Sequence, residues 1–447
     1  MGKAIIILLA LVLAVSSPYA QGAYINPSIA TIRIGEPATE FLLRGPPGAQ
    51  YIASASFGTT PGIQIGQINV PLNPDTLFFL TVAGYLSPFF QGFSGTLNQN
   101  GESRLYVALP DDPSLVGLRF YLAFVAYDGT GILEASNSAR VNVFARVQSL
   151  ISLPFPLLNM AYAFDQITKR LYIFSGSSDF AGGFKNVYRF DFNQPVMNVM
   201  RQDDPLPQEM MSGFGGGAAA WVSSLGKAFI FGGYGNMADR VSVFDPQLPA
   251  GQRITVMNNV RLPTPQAFLS AVYDPGTDRV FIFYSKMSGA GATDVYKFNP
   301  RDGSMVVLSN VRPASDGGAT LLPRPNNQND IILCCDASMS VVRFNIQTER
   351  GVSIDTAQLP TFRNNFPVTF NPAPGKVLII GGSTGGGIAT NEVFAFDPQS
   401  NTVTQIAQLP TGIYGDGSIG LPSPDNKVLI FGGYKSALGR TDQFFSM

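Results

Sequence analysis

Histidine is absent from this chain of 447 residues, and cysteine occurs only twice. Without imidazole there is no His general base and no His-ligated metal. A Gly-x-Ser-x-Gly elbow would have no partner base either. Two cysteines cannot build a disulfide framework, and at this length none is needed. Charged residues make up only 13% and the net charge is −1, with no cluster of Lys and Arg. A nucleic-acid backbone would meet no complementary surface. The one Asn-x-Ser/Thr triplet, Asn26-Pro27-Ser28, is disqualified by its proline, which in an exported chain leans towards a bacterial source. No apolar run reaches the roughly 20 residues that cross a bilayer.

The N-terminus reads as an export signal. Lys3 precedes the apolar run Ala4 to Val15, followed by Ser16, Ser17, Pro18, Tyr19 and Ala20. Cleavage after Ala20 or Gly22 leaves a mature protein that is secreted, periplasmic or on the cell surface, without membrane insertion.

Glycine (47) and proline (33) are plentiful, and short β-rich runs lie between turn clusters. That pattern argues for an all-β protein. From Leu153 onward the chain repeats. Leu-Pro or a relative recurs at Leu153, Leu206, Leu262, Arg312, Leu359 and Leu409, a period near 50. After each comes a polar turn and a dense apolar strand: RLYIFSG, KAFIFGG, RVFIFYS, DIILCCD, KVLIIGG and KVLIFGG. A third element follows in five units, as NVYRFD, RVSVFD, DVYKFN, SVVRFN and EVFAFD. A strand buried on both faces reads as a continuous apolar run, so these sheets must stack on one another.

The strand, Gly-Gly, loop, Val-Tyr-x-Phe-Asp-Pro pattern resembles the kelch repeat family. Gly-Gly is intact at Gly232-Gly233, Gly381-Gly382 and Gly432-Gly433, and the family's blade tryptophan is missing, since Trp221 lies on a first strand. The resemblance implies a six-bladed kelch-type β-propeller over residues 146–447. The last unit ends one strand short at Met447, and the segment Ala145 to Ser152 is the natural closing strand.

Residues 23–145 lack this period. Runs such as TIRIG, EFLLRG, TLFFLTVAGYL, RLYVALP and GLRFYLAFVAYD suggest a small β-sandwich. Leu109-Pro110 through Gly117 resembles a sandwich module of exported bacterial proteins.

Both cysteines are neighbours. Counting from the turn, Cys334 stands where Phe231 or Phe431 stands, and Cys335 takes the place of the first glycine; a one-residue shift puts both on the Gly-Gly pair. Either they are two small, half-buried thiols filling a blade, or they are bonded and form a stiff ring at a channel mouth that could contact a ligand.

Copper radical oxidases with kelch-like propellers need histidine ligands, which this chain lacks. Sialic-acid-processing propellers gather several arginines, and only Arg363 is expected in this channel. Asp274 to Asp278 and Asp128 to Gly131 read as turn caps rather than calcium loops. No metal and no cofactor motif is found. The residues after each Leu-Pro supply Gln266, Asp316, Arg363, Asn364, Asn365, Tyr414 and Asp416, and the loops after Gly-Gly supply Tyr234, Tyr434 and Lys435. Amides and aromatics of this kind suit a glycan or a protein loop. Arg363 and its two asparagines come first, since an arginine on an inner strand needs a partner. The expected function is non-catalytic binding at the propeller face, with a carbohydrate-active enzyme as the alternative.

Overall fold

The computed structural model describes residues 22–447 except 153–157, 180–181, 184–185, 193–200, 206–215, 234, 236–237, 285–292, 314–316, 326–328, 337, 373, 385–386, 416, 421–426, 436–438 and 441–442. The export signal therefore lies almost wholly outside the described residues. Two compact units divide the chain, Met1–Arg146 and Val147–Met447. No helix among the described residues is long and apolar enough to cross a membrane.

Among the described residues, the first unit has a two-stranded ribbon, Ile63–Ile65 with Ile68–Val70, and two large sheets. One orders Tyr24–Asn26, Thr39–Arg44, Glu102–Val107 and Phe90–Gln91; the other runs Ile29–Arg33, Ala139–Phe144, Arg119–Asp128, Gln50–Ser56 and Ser94–Thr96. Alternation directs Phe41, Leu43, Leu105 and Val107 from the first sheet and Leu122, Phe124 and Val141 from the second into one core. The run TLFFLTV departs from the strand expected there: Thr76–Val82 is an α-helix. Asp75 caps it by accepting from the Phe78 backbone N–H, and Leu77, Phe78 and Thr81 form its buried face. A helix of this length owes little to propensity, and cap plus packing decide its state.

Among the described residues, the second unit shows six sheets of the four-stranded pattern, each ordered from an inner to an outer strand. In the second of these, Ala218–Val222, Lys227–Phe231, Arg240–Phe244 and Ile254–Arg261 pair antiparallel in sequence order. The last sheet takes its outer strand from Gln148–Ser152, which pairs with Gln443–Ser446. Second strands are sealed on both faces, as Ala228–Phe231 and Val428–Phe431 illustrate.

Aromatic side chains join several neighbouring sheets. Trp221 stacks on Tyr172 at 5.6 Å, Phe231 meets Phe298 at 5.2 Å, and Phe283 meets Phe344 at 5.6 Å. Such pairs add about 0.5–1.5 kcal/mol each beyond the area they bury. Tyr162 of the first sheet packs on Phe431 of the last, their centroids 5.1 Å apart. First and last sheets therefore share one core, and the inner strands form a closed circuit around an axis.

A polar clamp ties the second sheet to the third. Asp278 accepts from Ser224 at 2.6 Å and from Tyr273 at 2.9 Å, and Arg301 donates to its other oxygen at 2.5 Å. The Ser224 hydroxyl, with Tyr273 and Arg301, holds this carboxyl below its ordinary value of 3.8. A depressed folded-state pKa stabilises above the unfolded value, and that stability is lost as pH falls through the folded one. Thermal melts of the wild type should lose ground below pH 3.8. Asp278→Asn should show a shallower acid limb; equal slopes for the two proteins would remove the clamp from this account.

Candidate functional site

The inner strands are rich in small residues, such as Ala218, Ala219 and Ala220, so the axis stays open. The resulting channel has a volume of about 740 Å³. At its turn end the polar groups are already used. Asp274 accepts from the Thr277 backbone at 2.8 Å, the Thr277 hydroxyl at 2.7 Å and the Asn329 amide at 2.6 Å. Asp165 accepts from the Ile167 backbone at 3.0 Å and from Thr168. Arg324 donates its Nε to Asp330 at 2.7 Å. In the first unit, Asp128 likewise caps its turn through the Thr130 N–H at 2.7 Å. Among the described residues no group of three or more His, Cys, Asp or Glu side chains could hold a metal ion.

The opposite end is bordered by Gly216, Gly217, Gly317, Gly318, Gly415 and Asn365. These glycines let backbones approach. A Cβ on Gly318 would stand 2.7 Å from the Val368 nitrogen, and one on Gly217 would stand 3.0 Å from the Gly232 carbonyl. This is the glycine-rich mouth, to which the sequence assigned its binding residues.

Arg363 does not line it. Its side chain is 0% exposed, which overturns the expectation of a channel arginine. Its guanidinium donates to the Gly381 carbonyl at 3.2 Å, to Thr361 at 2.8 Å and to Glu392 at 2.8 Å, and lies 4.7 Å from the Phe394 ring centroid. Arg363 needs a partner and finds it within its own sheet, so the charge turns inward. Gln266 is corrected in the same way: it is buried, its side chain donates to Thr264 at 2.9 Å, and its carbonyl accepts from Gly233 at 3.0 Å. Glu392 and Phe394 were missed as partners because nothing in their repeat positions marks them.

Three expected residues remain together at the mouth. Asn364 exchanges two backbone hydrogen bonds with Ser383, both 2.9 Å, and is half-buried. Asn365 takes a left-handed φ of 53°, and its carbonyl accepts from Gly415 at 2.8 Å. Tyr414 bridges Tyr434 through backbone hydrogen bonds of 2.8 and 3.2 Å, with ring centroids 5.2 Å apart. Asp316, Asp416 and Tyr234 lie outside the described residues.

Cys334 and Cys335 are bonded to each other. Leu333 pairs with Val342 as Ile230 pairs with Ser242, which places Cys334 at the Phe231 position and Cys335 at the first glycine. Both are buried, at 0% and 1% exposure, packed with Met339 and Phe366. The pair therefore offers no surface to a ligand, contrary to the ring at the mouth that the sequence suggested.

Comparison with known proteins accords with this geometry. The Kelch motif matches residues 373–410, which hold the second strand Lys376–Ile380, Gly381-Gly382 and the third strand Glu392–Asp397. The second unit is a kelch-type β-propeller. Its fold is similar to the solved structure of YjhT, with a TM-score of 0.50 and 12% identity over 65% of this chain and 95% of that one. At that identity the likeness speaks for the fold alone. A search of curated proteins returns no match.

Proposed function

We propose that this chain is an exported protein that binds a glycan or a protein partner at the glycine-rich mouth of its kelch propeller, without catalysing a reaction there. Kelch propellers commonly bind protein partners, although the scaffold also carries enzymes. One observation carries the reading. Among the described residues, the ionised groups Asp274, Arg324 and Glu392 are consumed in turns and ion pairs, whereas the Tyr414 and Tyr434 hydroxyls and the Asn364 amide have no hydrogen-bond partner. Aromatic and amide groups left unpaired at a rim suit recognition rather than acid–base work. The apolar N-terminal run and the bonded cysteines fit an oxidising compartment outside the cytoplasm.

The mature protein should release no chromophore from a panel of chromogenic glycosides, and immobilised wild type should retain a ligand from a glycan array or from the native envelope fraction. Substitution of Tyr414 by alanine should weaken that retention. Turnover lost on Tyr414→Ala would overturn the non-catalytic reading, and retention indifferent to it would move the binding elsewhere.

A further inference from the structure

We infer that Tyr414, Tyr434 and Asn364 form a binding site for a pyranose sugar whose ring substituents are equatorial; this rests on the binding role proposed for the mouth. The two rings are held by their backbones, since Tyr414 and Tyr434 exchange hydrogen bonds of 2.8 and 3.2 Å. Their planes tilt by 46°, so they form an angled shelf. A shelf already fixed in the free protein loses little entropy when it binds.

The polar groups around the shelf are available. Neither tyrosine hydroxyl and no atom of the Asn364 side-chain amide has a hydrogen-bond partner among the described residues. Gly387 lies beside the Tyr414 hydroxyl, since a Cβ there would stand 3.8 Å from that oxygen, in ordinary van der Waals contact. Asn364 precedes Asn365, whose carbonyl accepts from Gly415, the residue after Tyr414, so the amide and the shelf share one stretch of rim. Partial burial, and then Tyr434, raise the Tyr414 phenol above its ordinary value, which keeps it a neutral donor.

An equatorially substituted pyranose presents axial C–H bonds on its faces and hydroxyls around its edge. The faces match aromatic rings, and the edge matches two phenols and an amide, which can both donate and accept.

The test uses the full mature chain, with cellotetraose and a β-linked xylotetraose as probes in isothermal titration calorimetry. Binding of at least one is expected, and Tyr414→Ala or Tyr434→Ala should weaken it by at least about tenfold. Tyr414→Phe keeps the ring and loses the hydroxyl; it and Asn364→Ala should each cost about threefold to tenfold. Asn364 is half-buried with no side-chain partner, so that variant reads the site even if an alanine at Tyr414 unsettles the fold. No heat with either sugar, or equal affinity in the alanine variants, overturns the inference. A protein retained from the envelope fraction and lost with Asn364→Ala, alongside no sugar binding, overturns the sugar while leaving the mouth as the binding face. Failure of both overturns both.

Discussion

Arg363→Ala should destabilise the propeller by roughly 3–5 kcal/mol, the range seen when one partner of a buried pair is removed. Three losses combine. The Gly381 carbonyl forfeits a donor, the Glu392 carboxylate keeps its charge without a counter-ion, and a cavity opens beside Phe394. Arg363→Lys should recover only part of this, because an ammonium cannot reach Thr361, Gly381 and Glu392 from one planar fork. Glu392→Gln should cost less, about 1 kcal/mol, since its side chain is 31% exposed and water covers part of the deficit. Urea unfolding midpoints for the three variants give the ranking. Should Arg363→Ala unfold within about 1 kcal/mol of wild type, the guanidinium would not hold this sheet as described.

The period of the propeller was legible because burial on both faces leaves a mark in one dimension. The runs KAFIFGG and KVLIIGG contain no polar interruption, and they are the second strands Lys227–Phe231 and Lys376–Ile380. The Gly-Gly pairs were legible for a related reason. They turn the chain with φ of 60° and 125° at Gly232 and Gly233, and with 58° and 105° at Gly381 and Gly382, where other residues are strained. The helix Thr76–Val82 was not legible from its apolar pattern, since TLFFLTV fits no single period. Its signal was Asp75, an N-cap residue following a proline.

The candidate site was legible in part, and the boundary is physical. Repeat counting finds the positions that begin an inner strand, and it placed Asn364, Asn365 and Tyr414 at one rim. It cannot say whether a side chain at such a position points to the axis or folds back into its sheet. For Arg363 that depends on Glu392, which stands two strands later and has no distinguishing spacing. The same limit applies to Gln266, whose carbonyl serves the Gly-Gly turn of the preceding sheet rather than a ligand. Tyr414 precedes the inner strand Gly417–Gly420 of the last sheet and Tyr434 follows its second strand Val428–Phe431, and only their backbone bridge makes them a pair.

The seam between the second and third sheets provides a matched test of how closely these units pack. Gly226 and Gly232 flank the same strand, with φ of 64° and 60°. A Cβ on Gly226 meets nothing within 4 Å, whereas one on Gly232 would stand 2.6 Å from the Gln266 carbonyl oxygen and 2.6 Å from Leu269 Cδ1. The backbone penalty of a left-handed alanine is common to both, about 1–2 kcal/mol. Only the second adds a collision with the chain entering the neighbouring sheet. Gly232 and Gly233 also donate to Arg240 and Gln266, both at 3.0 Å, so the chain cannot swing aside without breaking those bonds. Gly226→Ala should therefore cost about 1 kcal/mol and Gly232→Ala at least about 3 kcal/mol, with the difference assigned to the seam. Denaturant titration of the two proteins measures it directly. Equal losses would mean that the sheets part easily at this point, and the inner strands would then not be held tightly enough to define the mouth.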